Sequence, residues 1–114
     1  MKFSEELRKD LMDYKIIVTA SAEKDLNDIA DYIAFGLKEP ETALKQIKRI
    51  ADKIYELETM PKKYAVLADE YLSSRGYRMS KCDNYLIFYR IEERKVYIIR
   101  VLYSRREWTE ILKL

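Results

Sequence analysis

Histidine does not occur in this 114-residue chain. Its absence removes the side chain that most often serves as a general base near neutral pH and most often binds transition metals. Cysteine occurs once, as Cys82, so no internal disulfide can form. One thiol without a histidine also makes a zinc site untenable, and no metal or cofactor is expected. Glycine occurs only as Gly36 and Gly76, which rules out a Gly-x-Gly-x-x-Gly turn and a Walker-type phosphate loop. No apolar run approaches the ~18 residues that cross a bilayer, and the first ten residues are charged throughout, unlike a secretory h-region. The expected compartment is the cytoplasm, with no membrane partner.

What is present suits a soluble domain, with 48% hydrophobic and 37% charged residues. A chain of this length forms one domain with one modest core. The net charge of +2 hides an asymmetry. Residues 1–74 carry a net charge of −3, residues 75–106 a net of +6, and residues 107–114 a net of −1. A basic segment of this kind implies an anionic or acidic partner for the second half.

Residues 3–12 place Phe3, Leu7 and Leu11 at helical spacing and predict a short amphipathic helix ahead of the main domain. The expected division is an N-terminal extension over 1–13 and a domain over 14–114. Tyr14–Thr19 is short and β-branched, a strand signal. Thr19 or Ser21 then caps a helix whose stripe is Ala22, Leu26, Ile29, Ala30 and Ile33 and which ends near Gly36. Pro40 suits the first position of a second helix, carrying Ala43, Ile47, Ile50, Ala51, Ile54 and Leu57, and Pro61 stops it. Residues 62–74 read as a loop with at most one helical turn, and Gly76–Lys81 as a short strand. A hairpin follows: strand 85–91, a turn at Glu92–Arg94, and strand 95–103, whose apolar run Tyr97–Leu102 predicts burial on both faces. Residues 105–112 predict a terminal helical turn. The expected fold class is α+β, a helical hairpin on a small antiparallel sheet in the order β-α-α-β-β-β, with an extra N-terminal helix and a short C-terminal one.

This order and these residues resemble the RelE/ParE superfamily of toxins from type II toxin–antitoxin systems. The matching pieces are Tyr14-Lys-Ile-Ile-Val-Thr-Ala-Ser-Ala-Glu-Lys-Asp-Leu26, Gly76-Tyr-Arg78, Asn84-Tyr-Leu-Ile-Phe-Tyr-Arg90, and Tyr97-Ile-Ile-Arg-Val-Leu-Tyr-Ser-Arg-Arg-Glu107. They span roughly residues 14–112. The resemblance implies a growth-inhibiting toxin neutralised by a cognate antitoxin, with operator DNA reached only through the antitoxin. Two activities share the fold: RelE-like members cut mRNA in the ribosomal A site, and ParE-like members poison DNA gyrase without catalysis. A third reading is a non-toxic co-repressor that only binds the antitoxin. Ribosome-dependent mRNA cleavage, a metal-independent endoribonuclease activity, is the first expectation, with gyrase inhibition close behind.

RNA cleavage through the ribose 2′-OH requires charge stabilisation at phosphorus and two proton transfers. Lysine, arginine and tyrosine can supply these where histidine is lacking. The candidates are Arg78 and Lys81 on the first strand of the hairpin group, and Tyr103, Arg105 and Arg106 where the last strand ends. Related toxins often carry histidine where this chain has Tyr103. Lys62, Lys63, Arg100 and Trp108 are candidate contacts to RNA or antitoxin. Each has a structural alternative: a solvated lysine pair, an Arg100 ion pair with an acidic residue, and a Trp108 that covers the sheet.

Overall fold

The computed structural model describes residues 13–114; the helix expected over 3–12 lies outside them. Strand β1 (Lys15–Val18) leads into α1 (Ala20–Asp31) through Thr19. The Thr19 hydroxyl accepts from the Ala22 amide at 3.2 Å and donates to the Ile98 carbonyl at 2.8 Å, so one residue caps the helix and fastens it to the sheet. α1 runs on into a π-helical turn, Tyr32–Gly36. Lys38 at φ 58° reverses the chain, and α2 (Pro40–Glu56) begins with the proline at its first position. The sequence called for both the Gly36 ending and the Pro40 start.

The 62–74 segment contains a short helix, α3 (Glu70–Ser74), capped by the Asp69 carboxylate on the Leu72 amide at 3.0 Å. Gly76 follows at φ 73°, a left-handed position that disfavours any residue with a Cβ. Strands β2 (Arg78–Cys82), β3 (Tyr85–Glu92) and β4 (Lys95–Tyr103) form an antiparallel meander, and α4 (Trp108–Leu112) ends the chain.

The sheet order is β1-β4-β3-β2, and β1 pairs parallel with β4. The sheet is therefore mixed rather than wholly antiparallel as expected, and the rest of the α+β fold is as expected. The chain path gives the reason. α1 continues in the sense of β1 and α2 returns, so β2 sets out in the same sense as β1. Three antiparallel strands then bring β4 back to that sense, and β1 joins it after a long helical crossover, the connection parallel strands require.

One face of the sheet buries Ile87, Tyr89, Val96, Ile98 and Val101 against Ala22, Ile50, Ile54 and Leu57 of the helical hairpin. The other buries Leu86, Phe88 and Leu102 under Leu72 and Leu112 of the two short helices. Val101 and Leu102, on opposite faces, are both 1% exposed, which is the two-sided burial that the apolar run of β4 predicts. Among the described residues no helix is long and apolar enough to cross a membrane.

Candidate functional site at the end of the sheet

β4 outruns its parallel neighbour. β1 pairs only as far as Ile98, and the register with β3 slips there, Tyr89 facing Ile98 and Phe88 facing Arg100. Ile99 is the extra residue of this bulge. Beyond it the outer edge of β4 needs another acceptor, and Asp25 of α1 supplies it. Its carboxylate accepts from the Val101 amide at 2.9 Å and from both the Nε and Nη2 of Arg100, at 2.7 and 2.8 Å. Asp25 is 7% exposed, so this is a largely buried bidentate pair. It holds the Arg100 guanidinium above its ordinary pKa. Arg100 is thus committed inside the domain, the structural alternative of its two readings.

The end of β4 and the start of β3 meet the end of α1. The Tyr85 and Tyr103 rings lie edge to face with centroids 5.9 Å apart. With Asp28 of α1, Tyr32 of the π-helical turn and Arg106 of the turn after β4 they line an open notch of about 170 Å³, which Asp25, Ile29 and Val101 also border. The turn is pinned by Ser104, whose amide donates to Asn84 at 2.8 Å, and by Arg106, whose amide donates to the Tyr103 carbonyl at 3.0 Å. Burial raises the Tyr85 phenol pKa, and the neighbouring phenols of Tyr103 and Tyr32 add to the rise.

The five residues proposed for chemistry do not share this notch. Tyr103 and Arg106 do; Arg105 is exposed beside them in the turn. Lys81 is exposed and lines a separate cleft of about 320 Å³ between β2 and α2, with Arg49, Asp52, Lys53, Glu56 and Asp83. It faces Leu86, which faces Leu102, so two strand spacings, about 9.5 Å, separate the backbones of β2 and β4. Arg78 pairs with Tyr89, four residues along β3 from Tyr85, or about 13 Å. Its guanidinium donates to the Tyr64 carbonyl at 2.6 Å. Alongside it the buried Tyr89 hydroxyl donates to the Pro61 carbonyl at 2.7 Å, and burial pushes that phenol up to about 12. Arg78 and Tyr89 together fasten the loop that follows α2.

The remaining candidates are dispersed. Lys62 and Lys63 are exposed on that same loop, with the Lys63 ammonium 5.5 Å from the Tyr64 ring centre. Trp108 packs on the far face of the sheet, 5.2 Å from Phe88, as a cover for the core. Among the described residues no cluster of three or more acidic, cysteine or histidine side chains is placed to hold a metal. Sequence reasoning did not single out Tyr32 or Asp28; Tyr85 both packs against the core and lines the notch. The signal was present: Asp25, Asp28 and Tyr32 recur at helical spacing along α1 and into the π-helical turn that continues it, beside the apolar stripe.

The sequence and the fold both have relatives among toxin–antitoxin proteins. The family model for the ParE toxin of type II toxin–antitoxin system, parDE, matches residues 16–108. No curated protein matches the chain in sequence. Among solved structures, the chromosomal ParDE system of P. aeruginosa superposes with a TM-score of 0.69 at 22% identity, over 81% of this chain and 97% of that one. The RelBE2 toxin–antitoxin complex of Mycobacterium tuberculosis superposes with a TM-score of 0.58 at 21% identity, over 80% of this chain and 98% of that one.

Proposed function

This chain belongs to the ParE toxin family of type II toxin–antitoxin systems, and on that premise we propose that it arrests growth by binding a protein target, DNA gyrase, without chemistry of its own. One observation carries the choice between the two activities of the wider superfamily. A metal-free ribonuclease must bring its phosphate grip and its proton-transfer groups within about 3 Å of one reacting phosphate. Here Lys81 and Arg78 sit away from Tyr103 and Arg106, and Arg78 already holds the Tyr64 carbonyl. Burial raises the phenol pKa of Tyr85, beside Tyr103, and of Tyr89, and so moves both away from use as a base. Such a surface suits binding better than phosphoryl transfer.

A cognate antitoxin neutralises the protein by covering the basic end, and the pair reaches operator DNA through the antitoxin. Arg105 and Arg106 give that encounter its charge complementarity and association rate. The experiment is a pair of assays on purified protein. DNA supercoiling by gyrase is expected to be inhibited, and ribosome-bound message, probed by primer extension, to stay intact. Cut message with unaffected gyrase overturns the reading. In cells, Arg105→Ala with Arg106→Ala is expected to relieve growth arrest while the protein stays folded.

A further inference from the structure

The notch at the end of β4 is sized for a single side chain. Its volume of about 170 Å³ compares with the roughly 150 Å³ cavity that admits one benzene, and falls below the ~300 Å³ at which small-molecule sites begin. The charges around it are unequally satisfied. Asp25 is taken by Arg100 and the Val101 amide, and Asp28 by Lys24 at 2.8 Å. Arg106 makes no ion pair among the described residues. Among the described residues the hydroxyls of Tyr32, Tyr85 and Tyr103 make no hydrogen bond, as is also true of Tyr14, Tyr55, Tyr64, Tyr77 and Tyr97; the three are set apart by lining one notch together with Arg106.

We infer that this notch receives an acidic side chain of the antitoxin, its carboxylate held by Arg106 and by phenol hydroxyls of Tyr32, Tyr85 and Tyr103. Three phenols and one guanidinium are donors looking for an acceptor, and a carboxylate offers about four lone-pair sites. A cationic side chain is the competing guest for a ring-lined pocket. It meets Arg106 on the wall and carboxylates that are already paired. The raised Tyr85 phenol pKa keeps that group protonated, and so a donor, throughout the neutral range. The inference rests on the reading that an antitoxin neutralises this chain.

The test uses the full chain, isotope-labelled, and three probes of one shape: propionate, propionamide and propylammonium, at constant ionic strength. Propionate is expected to shift the amide resonances of Val101–Arg106 and of Tyr32, and the two other probes to leave them in place. Arg106→Ala, an exposed position, is expected to weaken propionate binding at least fivefold. Tyr103→Phe, which keeps the ring, is expected to weaken it twofold or more. Equal shifts from propionamide or propylammonium, or unchanged binding in Arg106→Ala, overturn the inference. The protein encoded by the adjacent reading frame is expected to displace propionate. Neutralisation by that protein with propionate still bound sinks the notch and spares the antitoxin. Failure of that protein to neutralise the toxin, with propionate bound as expected, sinks the antitoxin reading and with it the named occupant, and spares only the notch's preference for a carboxylate.

Discussion

Replacing Asp25 with alanine strips three hydrogen bonds from the junction of α1 and β4 at once: two from Arg100 and one from the Val101 amide. The cost follows from what is left behind. Removing one partner of a buried ion pair costs about 3–5 kcal/mol. Arg100 keeps 25% side-chain exposure, so water recovers part of that and the lower end applies, about 3 kcal/mol. Val101 is 1% exposed, and its orphaned amide adds about 1 kcal/mol or more. The expected loss is about 4 kcal/mol, a large part of the 5–15 kcal/mol that holds a domain. Asp25→Asn keeps an acceptor for the amide and loses the charge, so about half the loss is expected. Urea denaturation reads both through the midpoint, with the slope unchanged. Asp28→Ala is the control. Its partner Lys24 is 77% exposed, and such surface pairs contribute at most about 1 kcal/mol. If Asp25→Ala cost no more than Asp28→Ala, the idea that this carboxylate terminates the sheet edge would fail.

Tyr89 predicts an alkaline transition. Its folded-state phenol pKa is raised to about 12 from an ordinary value of 10. The folded state keeps its proton where the unfolded chain has released it, so this contribution is whole below pH 10 and is lost as pH rises toward 12. A rise of that size corresponds to about 3 kcal/mol. Denaturation midpoints between pH 9 and 11.5 are expected to fall less steeply in Tyr89→Phe, which also forfeits the bond to Pro61 and starts about 1 kcal/mol lower. Identical pH profiles for the two proteins would refute this. Ser80 is fully buried and its hydroxyl has no partner among the described residues. Ser80→Ala is therefore expected to leave stability unchanged or raise it by about 1 kcal/mol, and a clear fall in the midpoint would reveal a hidden bond.

Most of the local structure could be read from residue order, because its causes are local. The stripe from Ala22 to Ile33 does turn inward, Pro40 does open α2, and the hairpin spans 85–92 and 95–103 around a two-residue turn. The parallel β1–β4 pair was not readable, since strand order depends on the path of the whole helical hairpin. Arg100 was recognisable as a residue needing an acid. The acid that serves lies 75 positions away, and nothing at either position singles out the other. The site suffered in the same way. Arg78, Lys81, Tyr103, Arg105 and Arg106 are close in sequence and share one basic segment, yet strand register distributes them over three places.

That distribution bears on mechanism more than any single distance. Of the cations proposed for chemistry, Arg78 is occupied by the Tyr64 carbonyl, and Arg100, proposed for binding, is occupied by Asp25. Both serve to fix the backbone on either side of β3. The cations left over are exposed at one end of the sheet, Lys81 on β2 and Arg105 and Arg106 in the turn after β4, and Lys81 and Arg106 border different clefts. Charges spread at strand spacing across a surface raise encounter rates and select an acidic partner. They do not concentrate enough field on one atom to replace a missing histidine pair. On the proposed reading, a toxin built this way would gain potency from a long-lived protein complex. The side chains that govern its release by an antitoxin should then be those lining the notch, where a partner's carboxylate finds donors that no described residue uses.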